Sequence, residues 1–200
     1  MTLNAQGYFN CLKSYLNTNH YGEPQATATE VRLKEKVFGQ SGNKPIEYNV
    51  TLRVTGETLV IKLDAKKNGS SLPLFHFLDD NAKPWSKRCG FVVFNLRKSK
   101  LYAYCLEFKS ESIPHDVSEQ LKSSVDWIKA LHATINAYTT KRSVIQATKF
   151  VLSNHQDPTP YLDADGKYLL RDHTIRHYRY ADVNGMALTD FENSNIEVIR

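Results

Sequence analysis

The chain has 200 residues, of which 41% are hydrophobic, and its formal net charge is +5 at neutral pH. This length and this apolar content are typical of one globular domain and exclude a disordered chain. No apolar run is long enough to cross a membrane, the N-terminus lacks the pattern of a secretory signal, and the three cysteines form no CxxC pair. We therefore expect a soluble, cytoplasmic protein. The small basic excess is compatible with nucleic-acid binding but does not indicate it.

The beginning of the chain predicts two helices. Apolar residues recur at three- and four-residue steps over residues 7–16, which is the spacing of a helix face. A second set over residues 28–38 predicts another helix, with Glu30 in its first turn. The helix dipole favours an acid at that place, so Glu30 has a structural explanation besides a role as a ligand.

Alternating and short apolar segments follow. Residues 46–54 alternate in polarity, which predicts a half-buried strand, and a turn at Gly56 leads to a second strand over residues 59–63. We expect these two strands to form a hairpin. Residues 72–78 are a third apolar segment, which ends in a polar turn containing Asp79 and Asp80.

Two strongly apolar runs, residues 91–94 and 101–109, are joined by a polar stretch over residues 95–100 and predict a β-hairpin. The second run ends in Glu107 and Lys109. Residues two apart on a strand share a face, so these two side chains should point the same way. Burying charge is costly unless the charge is paired or binds something, so this pair needs an explanation.

A helix with an apolar stripe is predicted over residues 117–135, and a further strand over residues 144–152. A helix between two strands fits a parallel crossover. We therefore predict an α/β domain, with α+β as the alternative, built on a central mixed sheet flanked by helices. It would be a single domain, with N-terminal helices in residues 1–40, a core over 46–152 and a C-terminal extension over 157–200.

Residues 73–131 resemble the PD-(D/E)xK nuclease superfamily, whose fold is called restriction-endonuclease-like. In that family an acid begins one strand, an acid-x-lysine motif ends the neighbouring strand, and a glutamine often lies on the helix that follows. Glu107 and Lys109 match the motif, and Gln120 lies where the helical glutamine would be. The position of the first acid is occupied by Gly90.

This resemblance implies a metal-dependent nuclease that acts on DNA by phosphodiester hydrolysis and uses Mg²⁺ or Mn²⁺. Glu107 would be a metal ligand, Lys109 would position the attacking water, and Gln120 would orient the lysine or a phosphate. Lys87 and Arg88 could contact the backbone of the substrate. The metal would offset charge on the phosphate and lower the pKa of a bound water.

Because glycine offers no ligand, another acid would have to complete the site. Asp79, Asp80 and Glu30 are the candidates, although Asp79 and Asp80 are also typical of a polar turn. If no acid does so, the protein is a catalytically inactive module that binds nucleic acid, either DNA or RNA, or assembles with a protein partner. Many nucleases of this fold act as dimers, so a homodimer stays open. A third interpretation is that Glu107 and Lys109 form a purely structural ion pair.

Overall fold

The computed structural model describes residues 3–22, 28–37, 46–67, 70–71, 84–110 and 112–200. Within these ranges the protein is a mixed α/β structure. The two longest helices pack on one face of a seven-stranded mixed sheet, and a separate β-hairpin packs on the other face. The predicted α/β fold class and the central mixed sheet are therefore confirmed. The segment 72–78 and the acids Asp79 and Asp80 lie outside the described residues.

Eleven strands and four α-helices lie in the described ranges. The strands are β1 (Glu30–Val37), β2 (Ile46–Arg53), β3 (Glu57–Lys62), β4 (Lys66–Lys67), β5 (Ser70–Ser71), β6 (Phe91–Arg97), β7 (Lys100–Lys109), β8 (Ile145–Ser153), β9 (Tyr168–Leu169), β10 (Asp172–Arg179) and β11 (Glu197–Ile199). The helices are α1 (Ala5–Tyr15), α2 (Thr18–Tyr21), α3 (Val117–Tyr138) and α4 (Tyr180–Val183). None of these helices combines the length and the apolar character that a membrane span requires.

The main sheet has the order β3–β6–β7–β8–β10–β9, and β11 pairs with β8. Strand β6 is antiparallel to both of its neighbours, β3 and β7, whereas β7, β8 and β10 run parallel to one another. Parallel neighbours need a long crossover connection. Helix α3 provides that connection between β7 and β8, as the sequence predicts.

The β6–β7 hairpin is tighter than the sequence predicts. Its strands extend through most of the polar stretch, and only Lys98 and Ser99 form the turn, with φ angles of 46° and 58°. Two positive φ angles in a two-residue loop match the twist of an antiparallel pair. The long hairpin places the end of β7 beside the beginning of β6.

The predicted helix over residues 28–38 is wrong, because β1 forms a strand there and pairs along its length with β2. Along β1, Val31 and Leu33 are buried, whereas Arg32 and Lys34 are exposed. This is the two-residue period of a strand whose one face is covered. The predicted hairpin between residues 46–54 and 59–63 is also wrong, since β2 pairs with β1 and β3 pairs with β6.

Each face of the main sheet has its own core. Helices α1 and α3 cover one face, where Cys89 and Cys105 are buried as free thiols, as expected for small core residues. The β1–β2 hairpin covers the other face, where Leu33 and Leu52 meet Phe91 and other side chains of the sheet. Three layers therefore bury the sheet on both sides, which explains why β6 and β7 read as continuous apolar runs.

The segment over residues 157–200, predicted only as an extension, belongs to the main sheet. It contributes β9, β10 and β11, and β10 lies parallel to β8 with Arg179 opposite Ser153. Helix α4 follows β10 directly and buries Tyr180. The carboxyl ends of three parallel strands therefore meet at one edge of the sheet, where ligands bind in many open α/β sheets.

Substitution of Leu33 by Ala tests whether the β1–β2 hairpin is packed as described. Leu33 is fully buried, so Leu33→Ala should lower the free energy of unfolding by about 2–5 kcal/mol. Arg32→Ala, on the exposed face of the same strand, is the control and should change it by less than about 0.5 kcal/mol. Urea unfolding measures both. Equal effects would contradict the alternation of β1.

Candidate active site at the ends of three strands

Ionisable side chains are concentrated where β3 ends, β6 begins and β7 ends. The antiparallel register places the last residue of β3 opposite the first residue of β6, which in turn lies opposite Leu106. Just beyond the paired part of β3, the Leu63 N–H donates to the Gly90 carbonyl at 3.0 Å. Asp64, Gly90 and Glu107 therefore lie at one edge of the sheet.

Glu107 is buried, with 7% of its surface exposed. One carboxylate oxygen lies 2.6 Å from Lys109 Nζ, and the other accepts the Gly90 N–H at 2.8 Å. The predicted common face of Glu107 and Lys109 is therefore confirmed as a direct ion pair. Both oxygens of the carboxylate have a partner, as a buried charge requires.

Helix α3 brings Gln120 to the same lysine. Lys109 Nζ donates to Gln120 Oε1 at 3.1 Å, and Gln120 Nε2 donates to Asp116 Oδ2 at 3.3 Å. Asp116 is the residue that precedes the helix. A chain of side chains therefore runs from the beginning of α3 through Gln120 and Lys109 to Glu107, and it fixes the direction of the ammonium group.

A second carboxylate–lysine pair, which the sequence interpretation missed, lies beside the first. Lys62 Nζ is 2.7 Å from Glu35 Oε2 and 3.7 Å from Asp64 Oδ1. Lys62 ends β3, and Asp64 follows it after one residue. Glu35 comes from β1, on the face of the hairpin that packs against the sheet. The position of Asp64 just after a predicted strand could have indicated its place in the site. The face on which Glu35 lies could not be predicted, because residues 28–38 were interpreted as a helix.

Glu35 also occupies the space beside Gly90. A Cβ atom at position 90 would lie 3.6 Å from Glu35 Oε2 and 3.7 Å from the Leu106 carbonyl. A side chain at this position would therefore extend toward the Glu35 carboxylate. The place where an acid at position 90 would project is filled by an acid from a different strand.

Other predicted residues lie farther away or are engaged elsewhere. Glu30 is the first residue of β1, about 17 Å along the strand from Glu35, so the structure does not bring it to Glu107. Lys87 forms an ion pair with Glu119. The Arg88 guanidinium donates to the Ser86 carbonyl at 2.9 Å and is half-buried.

Burial raises the pKa of Glu107 to about 7, and the negative charge of Asp64 acts in the same direction. Lys109 and the Gly90 N–H favour the carboxylate form but do not outweigh burial. Burial likewise raises the pKa of Tyr180, with contributions from Tyr48 and the acids Glu107 and Glu35. The Tyr180 hydroxyl stays protonated and donates to the Lys109 carbonyl at 2.7 Å.

A separate cavity of about 650 Å³ lies at the opposite end of the sheet, beside the β6–β7 turn. Its acid, Glu57, is held at the surface by Lys13 and Gln6. Of its two cations, Arg97 and Lys98, Arg97 stacks on the ring of Tyr102 at 4.0 Å. It therefore lacks the buried carboxylate and directed lysine that distinguish the site at Glu107.

The chain matches no protein-family model, and comparison with curated proteins and with solved structures gives no significant match. Among the described residues, no three His, Cys, Asp or Glu side chains are close enough together to form a metal site as they stand.

The raised pKa of Glu107 predicts a pH dependence of stability. The folded protein holds the Glu107 proton more tightly than the unfolded chain does, so protonation of Glu107 stabilises the fold. This contribution to the free energy of unfolding is complete below about pH 4.5 and is lost as the pH rises through about 7. Between about pH 5 and about pH 8, wild type should lose up to about 3 kcal/mol more than Glu107→Gln. Urea unfolding at both pH values measures this, and identical pH profiles would contradict it.

Proposed function

We propose that the protein is a metal-dependent nuclease that acts on DNA by phosphodiester hydrolysis. The observation that carries this proposal is the contact of Lys109 with both Glu107 and Gln120 at the end of β7. An acid-x-lysine motif requires such a directed lysine. The strand β6 before the motif, the helix α3 after it and the parallel strand β8 support the resemblance to the restriction-endonuclease-like arrangement.

The second carboxylate is assigned to Asp64. Its negative charge raises the pKa of Glu107, so the two acids are close enough to repel each other. A divalent cation relieves such repulsion, and carboxylate oxygens are the ligands that Mg²⁺ and Mn²⁺ prefer. The Asp64 side chain is 36% exposed and its Oδ1 atom lies 3.7 Å from Lys62 Nζ, whereas the Glu35 side chain is only 14% exposed. Glu107 and Asp64 therefore fit the metal best.

When bound, the metal supplies a Lewis acid for the phosphate and lowers the pKa of a water. The other tasks belong to the chain itself. Lys109 carries three N–H donors, and contacts with Glu107 and Gln120 account for two of them. The remaining donor can orient a water or a phosphate oxygen. Lys87 and Arg88 precede Gly90 by three and two residues along the chain. Their positive charges are the ones that we expect to contact the backbone of the substrate.

The alternative function is a binding or assembly module without hydrolysis. A specific observation favours it: position 90 has no carboxylate, and the carboxylates Glu107 and Glu35 each have a lysine as the counter-ion. Such a protein would bind nucleic acid or a protein partner without requiring a divalent ion. Plasmid cleavage and titration with Mn²⁺ separate these functions.

Loss of plasmid cleavage is the first test. Glu107→Gln and Lys109→Met should each lower Mg²⁺- or Mn²⁺-dependent cleavage at least about 100-fold, since each removes a group that acts on the reacting atoms. Lys129→Met is the matched control, because Lys129 also pairs with acids, Glu197 and Asp126, but at the surface. Unchanged cleavage in the Glu107 and Lys109 variants would refute the assignment.

Calorimetric titration with Mn²⁺ is the second test. Wild type should bind one ion, and Glu107→Gln and Asp64→Asn should each lose that binding. Glu57→Gln, which changes a surface carboxylate paired with Lys13, should not. The affinity should rise with pH through about 7, because the ion displaces a proton from Glu107. Absence of both Mn²⁺ binding and cleavage in wild type would identify the inactive module instead.

A further inference from the structure

Lys62 is held in a cage of oxygen atoms at the edge of the candidate site. Its Nζ atom contacts Glu35 Oε2 at 2.7 Å and Asp64 Oδ1 at 3.7 Å, and it donates to the Lys34 carbonyl at 3.1 Å. The ring of Phe91 lies 4.5 Å below the ammonium group. Two carboxylates, one main-chain carbonyl and an aromatic face therefore surround a single positive charge.

This cage differs from an ordinary surface ion pair. The side chains of Lys62 and Glu35 are only 19% and 14% exposed, whereas those of the surface pair Lys13 and Glu57 are 39% and 45% exposed. A charge as enclosed as Glu35 requires a cation beside it. The oxygen set around Lys62 is also the kind of set that holds a divalent cation.

The cage shares a residue with the metal assigned above. Asp64 contacts the Lys62 ammonium and directly follows Leu63, whose N–H donates to the Gly90 carbonyl, and the Gly90 N–H donates in turn to Glu107. In two-metal hydrolytic sites, two cations stand about 3.5–4 Å apart and stabilise both sides of the reacting phosphate. A carboxylate between two cationic positions is what such a site requires.

We propose that the Lys62 ammonium stands where a second divalent ion would otherwise bind, between Glu35 and Asp64. The protein then uses one metal ion, at Glu107 and Asp64, beside one internal cation. This inference deepens the proposed function, on which it rests for the role of that metal. Lys62 supplies fixed positive charge on the Asp64 side of the site, and it limits the number of ions that the site accepts.

The number of bound Mn²⁺ ions tests this role of Lys62. Calorimetric titration should show that Lys62→Met binds one ion more than wild type, because Glu35 and Asp64 lose their internal counter-ion. The added ion should disappear in Lys62→Met/Glu35→Gln. Lys13→Met, which frees the surface carboxylate of Glu57 in a matched pair, should bind the same number of ions as wild type.

Loss of Lys62 leaves the Glu35 charge enclosed without its counter-ion, so Lys62→Met is expected to unfold at a lower temperature than wild type when no metal is present. Addition of Mn²⁺ should raise the unfolding temperature of Lys62→Met more than that of wild type. Lys62→Gln, which keeps a hydrogen-bond donor for Glu35, is the second variant and should also bind the additional ion. If neither variant binds more Mn²⁺ than wild type, the proposal is overturned. The increment above wild type tests Lys62, whereas the wild-type count and DNA cleavage test the proposed function.

Discussion

The burial of Glu107 is the constraint on which the candidate site depends. A carboxylate at the end of an apolar strand must have partners, and here they are the Gly90 N–H and the Lys109 ammonium. The first partner requires the beginning of β6 to lie beside the end of β7, which the tight β6–β7 hairpin ensures. The second directs Lys109 toward Gln120 of α3. The buried Glu107 carboxylate therefore links the pairing of β6 with β7 to the side chains of Lys109 and of Gln120 on the crossover helix α3.

The β1–β2 hairpin has two roles that follow from the alternation of a strand. Its apolar side chains complete the second core, under β6 and β7, while Glu35 on the same inner face reaches the site edge. The acid is enclosed because the hairpin covers it, and Lys62 of β3 provides the compensating charge. The same packing of the β1–β2 hairpin therefore covers the sheet and positions the Glu35 carboxylate. A change in that packing would alter both.

Acids and lysines lie side by side at this edge. Glu35, Lys62, Asp64, Glu107 and Lys109 form a row in which the lysines stand beside the carboxylates. This row explains how a site with glycine at position 90 can still collect acids: they arrive from β1 and from the residue after β3. Lysine ammonium groups compensate much of this negative charge, and among the described residues no three His, Cys, Asp or Glu side chains form a metal site.

The sequence by itself determined those helices and strands in which one hydrophobic period, that of a helix or that of a strand, continues over the whole element. The strands β6, β7 and β8, the helix α3 and the common face of Glu107 and Lys109 were predicted because hydrophobic spacing reports directly on burial. The position of Gln120 beside Lys109 was expected only from the resemblance. Tertiary structure decided the rest. The apolar positions of residues 28–38 fit either a helix or a strand, and only pairing with β2 selected the strand. The nearness of Glu35, Lys62 and Asp64 arises from contacts between separate strands, and strand partners are not encoded in the spacing of either strand alone.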